Sequence, residues 1–100
     1  MKIIKKPKTF GTWLTMKMLI CDVDDMRLAK EISVTSNTIS SWKQNRNLPK
    51  LPHILSMVRF FFRETGESPT DLMDELLESI HAWREMNKEY RVANARPPEK

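Results

Sequence analysis

The sequence predicts an all-α protein of five helices, the last of them long, in a single domain. Helix-favouring Leu, Met, Lys and Glu dominate, whereas glycine occurs only twice in 100 residues. Apolar residues recur at helical spacing between signals that begin and end helices. A chain of this length buries one modest core, so one domain is expected.

The first two predicted helices are separated by an acidic break at residues 22–24. Asp24 can accept hydrogen bonds from the first-turn N–H groups of the helix that follows it. The first helix is predicted over residues 9 to about 20, and the second, a short one, over residues 25–32. Their apolar faces comprise Phe10, Trp13, Leu14 and Met18 in the first, and Leu28, Ala29 and Ile32 in the second.

The third predicted helix is polar, and the fourth is strongly apolar. Thr35 or Ser36 can cap the third helix, which runs to about residue 43 or 44 with Ile39 and Trp42 facing inward. The fourth helix is predicted over about residues 52–64, with Pro52 in its first turn and Gly66 at its end. Residues 60–62 are three consecutive phenylalanines, so we expect one of them to be exposed.

The fifth predicted helix, about residues 69–90, begins with a Ser cap, a Pro and an acidic third residue. Its heptad-like seam consists of Met73, Leu76, Ile80, Trp83, Asn87 and Tyr90. The helix is longer than a five-helix domain needs. We therefore predict that its distal part forms a homodimer interface, whose residues are Ile80, Trp83, Asn87 and Tyr90. The alternative is that this seam packs against its own chain.

Charge is distributed unevenly along the chain. Residues 1–63 hold twelve Lys/Arg and four Asp/Glu, a net of +8, whereas residues 64–100 hold five and nine, a net of −4. The first part favours a polyanionic partner. Residues 1–8 read as a flexible basic arm and residues 93–100 as a disordered tail. The arm lysines are Lys2, Lys5, Lys6 and Lys8, which either reach DNA or only add solubility.

Residues 25–44, DMRLAKEISVTSNTISSWKQ, resemble the helix-turn-helix of the phage lambda repressor-like family, also called the xenobiotic response element family. The matching positions are small Ala29 between the two helices, apolar Val34 in the turn, and Ile39 and Trp42 in the recognition helix. With the flanking helices, the resemblance covers roughly residues 9–78. It implies a five-helix lambda repressor-like DNA-binding domain, here residues 9–92, with a long C-terminal helix.

Three positions depart from the family pattern. Ser33 stands where the family favours Gly in the turn, and Asn45 stands at a Gly-like position after the recognition helix. Asn adopts the left-handed conformation more readily than most residues, and Ser pays a steric cost for it. Asp25 replaces a Gln that commonly touches a phosphate. Because a carboxylate repels phosphate, that contact is not expected here.

The resemblance implies that the third helix enters the DNA major groove. Short polar side chains read base edges there, whereas contacts to phosphate set register. The predicted base-contacting residues are Ser36, Asn37, Ser40, Ser41 and Gln44. The predicted phosphate-contacting residues are Thr38, Lys43, Asn45, Arg46 and Lys50. The alternative for both sets is an ordinary solvated surface with local capping.

These features predict a sequence-specific transcriptional regulator, most simply a bacterial or prophage repressor that binds double-stranded DNA as a homodimer. Its operator would be an inverted repeat with half-sites ~34 Å apart. Two alternatives remain: an antitoxin with the same fold, and a helical protein-interaction module that does not bind DNA. A protein such as an antirepressor or a toxin is a possible further partner.

Other function classes find little support in the sequence. His53 and His81 lie far apart, and no spacing of Cys, His or Asp resembles a metal or catalytic site. No nucleophile turn or phosphate-cradling Gly loop is present, so we expect neither an enzyme nor a cofactor. A lone cysteine, Cys21, and the lack of a long apolar run predict a cytoplasmic, nucleoid-associated protein without a membrane partner.

Overall fold

The computed structural model describes residues 9–94, with side chains through residue 88, and within that range it is all-helical. The five helices are α1 (Phe10–Cys21), α2 (Asp25–Ile32), α3 (Ser36–Lys43), α4 (Leu51–Thr65) and α5 (Pro69–Asn94). The predicted all-α class with five helices is confirmed. Helix α4 begins one residue earlier than predicted, and α5 continues past the predicted residue 90.

Local capping explains where the short helices begin. The Asp24 carboxylate accepts a hydrogen bond from the Arg27 amide at 2.8 Å, and the Thr35 hydroxyl accepts one from the Thr38 amide at 3.1 Å. Each cap satisfies an N–H group that has no partner within its helix. The Ser68 hydroxyl accepts from the Thr70 amide at 3.2 Å at the start of α5. These predicted caps are therefore confirmed.

Left-handed residues end several helices. Gly66 closes α4 with φ of 74°, as expected for a residue without a Cβ. Ser33 and Asn45, which stand at the two Gly-like positions, adopt φ of 60° and 59°. Asp22 ends α1 in the same way, with φ of 55°. The chain therefore makes these turns with non-Gly residues, at ~1–2 kcal/mol per residue in backbone strain.

The core lies where α1 meets α3, α4 and α5, and α2 packs on α3 and α4. Aromatic rings join these helices: Trp13 of α1 meets Phe61 of α4 edge-on at 5.7 Å, and Phe10 meets Trp42 of α3 at 6.2 Å. Phe60 and Phe61 are buried, whereas 47% of Phe62 is exposed, which confirms that one of the three consecutive phenylalanines faces outward.

A buried lysine ties the start of α5 to α1. The Lys17 ammonium lies 2.6 Å from a Glu67 carboxylate oxygen and 3.1 Å from one of Glu75. The Trp13 indole N–H also donates to Glu75, at 3.1 Å. Burial lowers the pKa of Lys17, but hydrogen bonds and the charges of these two carboxylates outweigh it and raise the pKa above its usual value. The cluster ties α1 to α5 and to the segment that precedes it.

Candidate nucleic-acid interface

Helix α3 has one buried side and one polar side. Ile39 is fully buried and only 3% of Trp42 is exposed, so both anchor α3 in the core as predicted. The five predicted base-contacting residues do not enter the core: Ser36, Asn37 and Gln44 are exposed, and Ser40 and Ser41 are half-buried. The structure therefore places four of these side chains on the outer part of the eight-residue helix α3 and the fifth, Gln44, on its C-cap residue.

The turn between α2 and α3 is held by the backbone. The Val34 amide donates to the Ala29 carbonyl at 2.9 Å, which closes the end of α2. Ala29 is buried, so α2 and α3 pack closely at that position. Together with the Thr35 cap, these contacts fix α3 relative to α2 while leaving its outward side chains free of core packing.

Two polar side chains at the end of α3 contact each other. The Gln44 side-chain amide donates to the Ser40 hydroxyl at 2.9 Å, one helical turn away. This bond uses one of the two amide hydrogens of Gln44 and leaves its carbonyl oxygen available. It also restricts the rotamers of both side chains, which lowers the entropy lost when they meet a ligand.

The predicted phosphate contact Lys43 already has an acidic neighbour. Its ammonium lies 2.6 Å from an Asp25 carboxylate oxygen, and the side chains of both residues are about 30% exposed. Asp25 is the residue that departs from the family pattern. It therefore pairs with a lysine from α3 within the chain, a contact that the sequence did not suggest.

Two other predicted phosphate contacts, Asn45 and Thr38, also have partners within the chain. The Asn45 side-chain oxygen accepts from the Gly11 amide at 2.9 Å, and its backbone carbonyl accepts from the Trp83 indole N–H at 3.0 Å. Asn45 thus joins α1, α3 and α5 at one point. The Thr38 hydroxyl lies 2.9 Å from that of Thr35.

The remaining predicted phosphate contacts are open to solvent. Arg46 and Lys50 are both exposed, and they lie in the segment that links α3 to α4. Neither side chain forms a hydrogen bond or an ion pair with another residue of the described range. Of the five predicted phosphate contacts, these two are the ones with charged groups free to meet an anion.

The predicted dimer residues lie mainly against their own chain. Only 8% of Ile80 is exposed, and Trp83 packs partly buried on the same core. The Asn87 side-chain amide donates to the Trp83 carbonyl at 3.2 Å. Ile80 therefore has little surface to offer a second copy, because its part of the seam packs on the core. Dimerisation itself stays a prediction, since one chain does not test it.

Several predicted residues lie outside the described part of the structure. They are the arm residues Lys2, Lys5, Lys6 and Lys8 and the side chain of Tyr90. The predicted arm, residues 1–8, also lies outside the described range, as does the predicted tail from residue 95 on, whereas residues 93 and 94 belong to α5.

Sequence reasoning missed an exposed apolar surface on α1 and α2. Leu19, Ile20 and Met26 are 65–75% exposed, and Met16 is 39% exposed beside them in sequence. Helical periodicity pointed only to the inner face of α1. The signal available was the run MKMLI, residues 16–20, which is apolar on more sides of the helix than one core contact requires.

The described residues form no arrangement typical of a metal site, a reactive thiol or a membrane-spanning helix. Within residues 9–88, no three His, Cys, Asp or Glu side chains are grouped so that they could hold a metal ion. Burial raises the pKa of the Cys21 thiol, with the charge of Glu64 adding to that shift, so the thiolate is disfavoured. None of the helices in the described range combines the length and apolar character needed to cross a membrane.

Searches against protein-family models, curated proteins and solved structures found no match to this chain.

Proposed function

We propose that this chain is a sequence-specific regulator that binds double-stranded DNA through a lambda repressor-like helix-turn-helix. In this proposal α2 and α3 form the motif, and α3 lies in the major groove as the recognition helix. The regulator acts as a repressor by occupying a promoter, in a bacterium or a prophage.

The observation that carries the proposal is the two-sided character of α3. A helix whose Ile39 and Trp42 are buried holds five small or amide side chains on its outer part. Such a helix is poor by intrinsic propensity, so its exposed polar residues contribute little to the fold itself. Hydroxyl and carboxamide groups are suited to the donor and acceptor pattern of base edges.

The structure suggests how the phosphate contacts are divided. Arg46 and Lys50 are exposed, and we assign them the main contacts to the DNA backbone. Lys43 would share its ammonium between Asp25 and a phosphate, which weakens its contribution. Asn45 and Thr38 support the position of α3, and Asn45 does so by binding α1 and α5.

We further propose a homodimer whose contact surface is centred on Leu51 and Leu77 and shares only Ile80 with the predicted distal seam of α5. Leu51 and Leu77 are 64% and 51% exposed, and they line one groove together with His81 and Arg84. The groove also includes Leu48 and lies beside the segment that follows α3. A second copy related by a twofold axis there would bring two recognition helices to one side of the complex.

The test is selection of bound sequences from random duplex DNA, followed by titration of the best duplex against salt. We expect an enriched inverted repeat and a plot of log K against log salt with a slope of about −5 to −8. Lys50→Ala should weaken binding to all duplexes alike and make that slope less steep by about 1. Absence of DNA binding at low salt would contradict the proposed function.

One observation favours a second function, a helical protein-interaction module. Met16 and Ile20 line one groove and Leu19 and Met26 line another, so exposed apolar side chains cluster on α1 and α2 rather than on α3. A module of this kind would bind a protein partner through that surface and would show no salt-dependent affinity for DNA. The same titration therefore separates the two functions.

A further inference from the structure

We propose that the outer part of α3 reads adenines, and that each operator half-site carries two adenine-containing base pairs about three steps apart. This inference rests on the proposed function. It concerns which bases are chosen, and it is drawn from the side chains that α3 exposes.

The two exposed carboxamides of α3 determine the expected base. Asn37 and Gln44 are both exposed, whereas the remaining outward positions of the helix are serines. In the major groove, adenine presents an N7 acceptor and an N6 donor. A carboxamide, with one N–H donor and one carbonyl acceptor, matches this pair, whereas guanine presents two acceptors and is matched by Arg or Lys.

No cation of α3 is placed to compete for guanine. Lys43 is the one basic residue of this fully described helix, and its ammonium lies 2.6 Å from Asp25. Lys43 also lines a groove with Thr15, Leu19 and Met26, so it projects towards α1 and α2. Serine hydroxyls donate or accept with any base and select weakly. Discrimination therefore falls mainly to Asn37 and Gln44.

The spacing of the two carboxamides sets the spacing of the bases. Asn37 and Gln44 are seven residues apart, which places them on the same side of the helix about 10.5 Å apart along its axis. With a rise of ~3.4 Å per base pair, this separation corresponds to about three base-pair steps when the helix follows the groove. Gln44 is held by Ser40 with its carbonyl oxygen free, ready to accept from an adenine N6 amino group.

The experiment uses the full chain and a random duplex library. We expect enriched half-sites with A·T pairs at two positions about three steps apart. Asn37→Ala should abolish the preference for an A·T pair at one position, and Gln44→Ala should abolish it at the other. Each variant should lose a discrimination between bases of roughly 5- to 150-fold in affinity. Asn47→Ala is the matched control: it removes an exposed carboxamide outside α3, and the selected sequence should stay the same.

A second measurement tests the base atom. Replacing each enriched adenine with 7-deazaadenine removes the N7 acceptor. This replacement should weaken DNA binding by the wild-type protein, and it should not weaken binding further in the variant that lacks the matching carboxamide. A guanine at either position, or a preference that survives both alanine variants, would overturn the inference.

The two failures can be distinguished in one titration. Binding at low salt without enrichment, or with a guanine-centred core, overturns the adenine assignment but leaves DNA binding intact. No binding to any duplex overturns the proposed function, and the adenine assignment with it.

Discussion

Gly11 shows at the residue scale how α1 is fitted against the end of α3. A Cβ at this position would lie 2.4 Å from the Lys43 carbonyl oxygen and 2.8 Å from the Trp42 carbonyl oxygen and the Asn45 side-chain oxygen. Two of these atoms are backbone and cannot rotate away. The close approach also lets the Gly11 amide reach Asn45.

Replacing Gly11 with Ala should therefore lower the free energy of unfolding, whereas the same change in an open helix raises it. In an open helix, Gly→Ala stabilises by up to about 1 kcal/mol through helix propensity. Here we expect Gly11→Ala to destabilise by about 1–3 kcal/mol, because α1 must move away from α3. Urea unfolding measures the difference. Gly66→Ala is the comparison: its Cβ meets nothing within 4 Å, so only the left-handed backbone opposes it. A more stable Gly11→Ala protein would contradict the close contact.

Residue-scale prediction from the sequence succeeded where the cause was local. Thr35 and Asp24 were identified as caps because a cap acts within three residues. Asn45 was correctly expected to tolerate the left-handed conformation. Its bonds to Gly11 and Trp83 could not be predicted, since those partners lie 34 and 38 residues away in the chain. Periodicity carries no information on such pairs.

At the scale of elements, α1 holds α5 through both apolar contact and the Lys17 cluster. Helical spacing placed Leu76 in the predicted seam of α5, and the structure buries both Leu72 and Leu76 fully. The spacing did not predict that Ile80 and Trp83 would pack on the same chain, because a heptad-like seam looks alike whether it meets its own core or a second copy. Tertiary packing decides between the two, and sequence spacing alone does not.

The Lys17 cluster should make the packing of α5 on α1 weaker at alkaline pH. The folded-state pKa of Lys17 is raised, so its pairing with Glu67 and Glu75 contributes its full stability below the usual value of 10.5. That contribution is lost as the pH rises through the raised folded-state pKa. We expect wild type to lose more unfolding free energy than Lys17→Met between pH 9 and the alkaline end of the titration, as measured by urea unfolding.

The comparison with Lys17→Met separates the contribution of this cluster from every other alkaline effect on the chain. Lys30→Met is a suitable control, because Lys30 is an exposed lysine of α2. It should show the same alkaline loss as wild type. Equal pH profiles for wild type and Lys17→Met would show that the cluster adds no stability.

Within the described part of the chain, two sets of exposed apolar side chains lie on different helices. One comprises Met16, Leu19, Ile20 and Met26 on α1 and α2, and the other contains Leu51 and Leu77 at α4 and α5. The uneven charge of the sequence assigns the basic part to α1 through most of α4. The basic part therefore stays a prediction, and the sequence did not predict which apolar residues would remain uncovered.

The proposed dimer gives these two surfaces different roles. Leu77→Asp should convert the dimer to a monomer at micromolar concentration, because a carboxylate would replace the exposed apolar side chain that the contact buries. Analytical ultracentrifugation measures the mass. Leu19→Asp is the matched control at 75% exposure on the other surface, and it should leave the dimer unchanged. A dimer that survives Leu77→Asp would move the contact away from this groove.

The separation of the two sides of α3 has a consequence for how such a protein diversifies. Ile39 and Trp42 hold the helix in place, while Ser36, Asn37 and Gln44 make no core contacts. Changes at the outward positions therefore leave folding nearly untouched, since surface substitutions away from special contacts usually alter stability by less than about 0.5 kcal/mol. Under the proposed function, substitutions at these few positions could change the DNA sequence that the protein binds while the fold stays intact. Duplicated copies of such a gene could then encode regulators that bind different DNA sites.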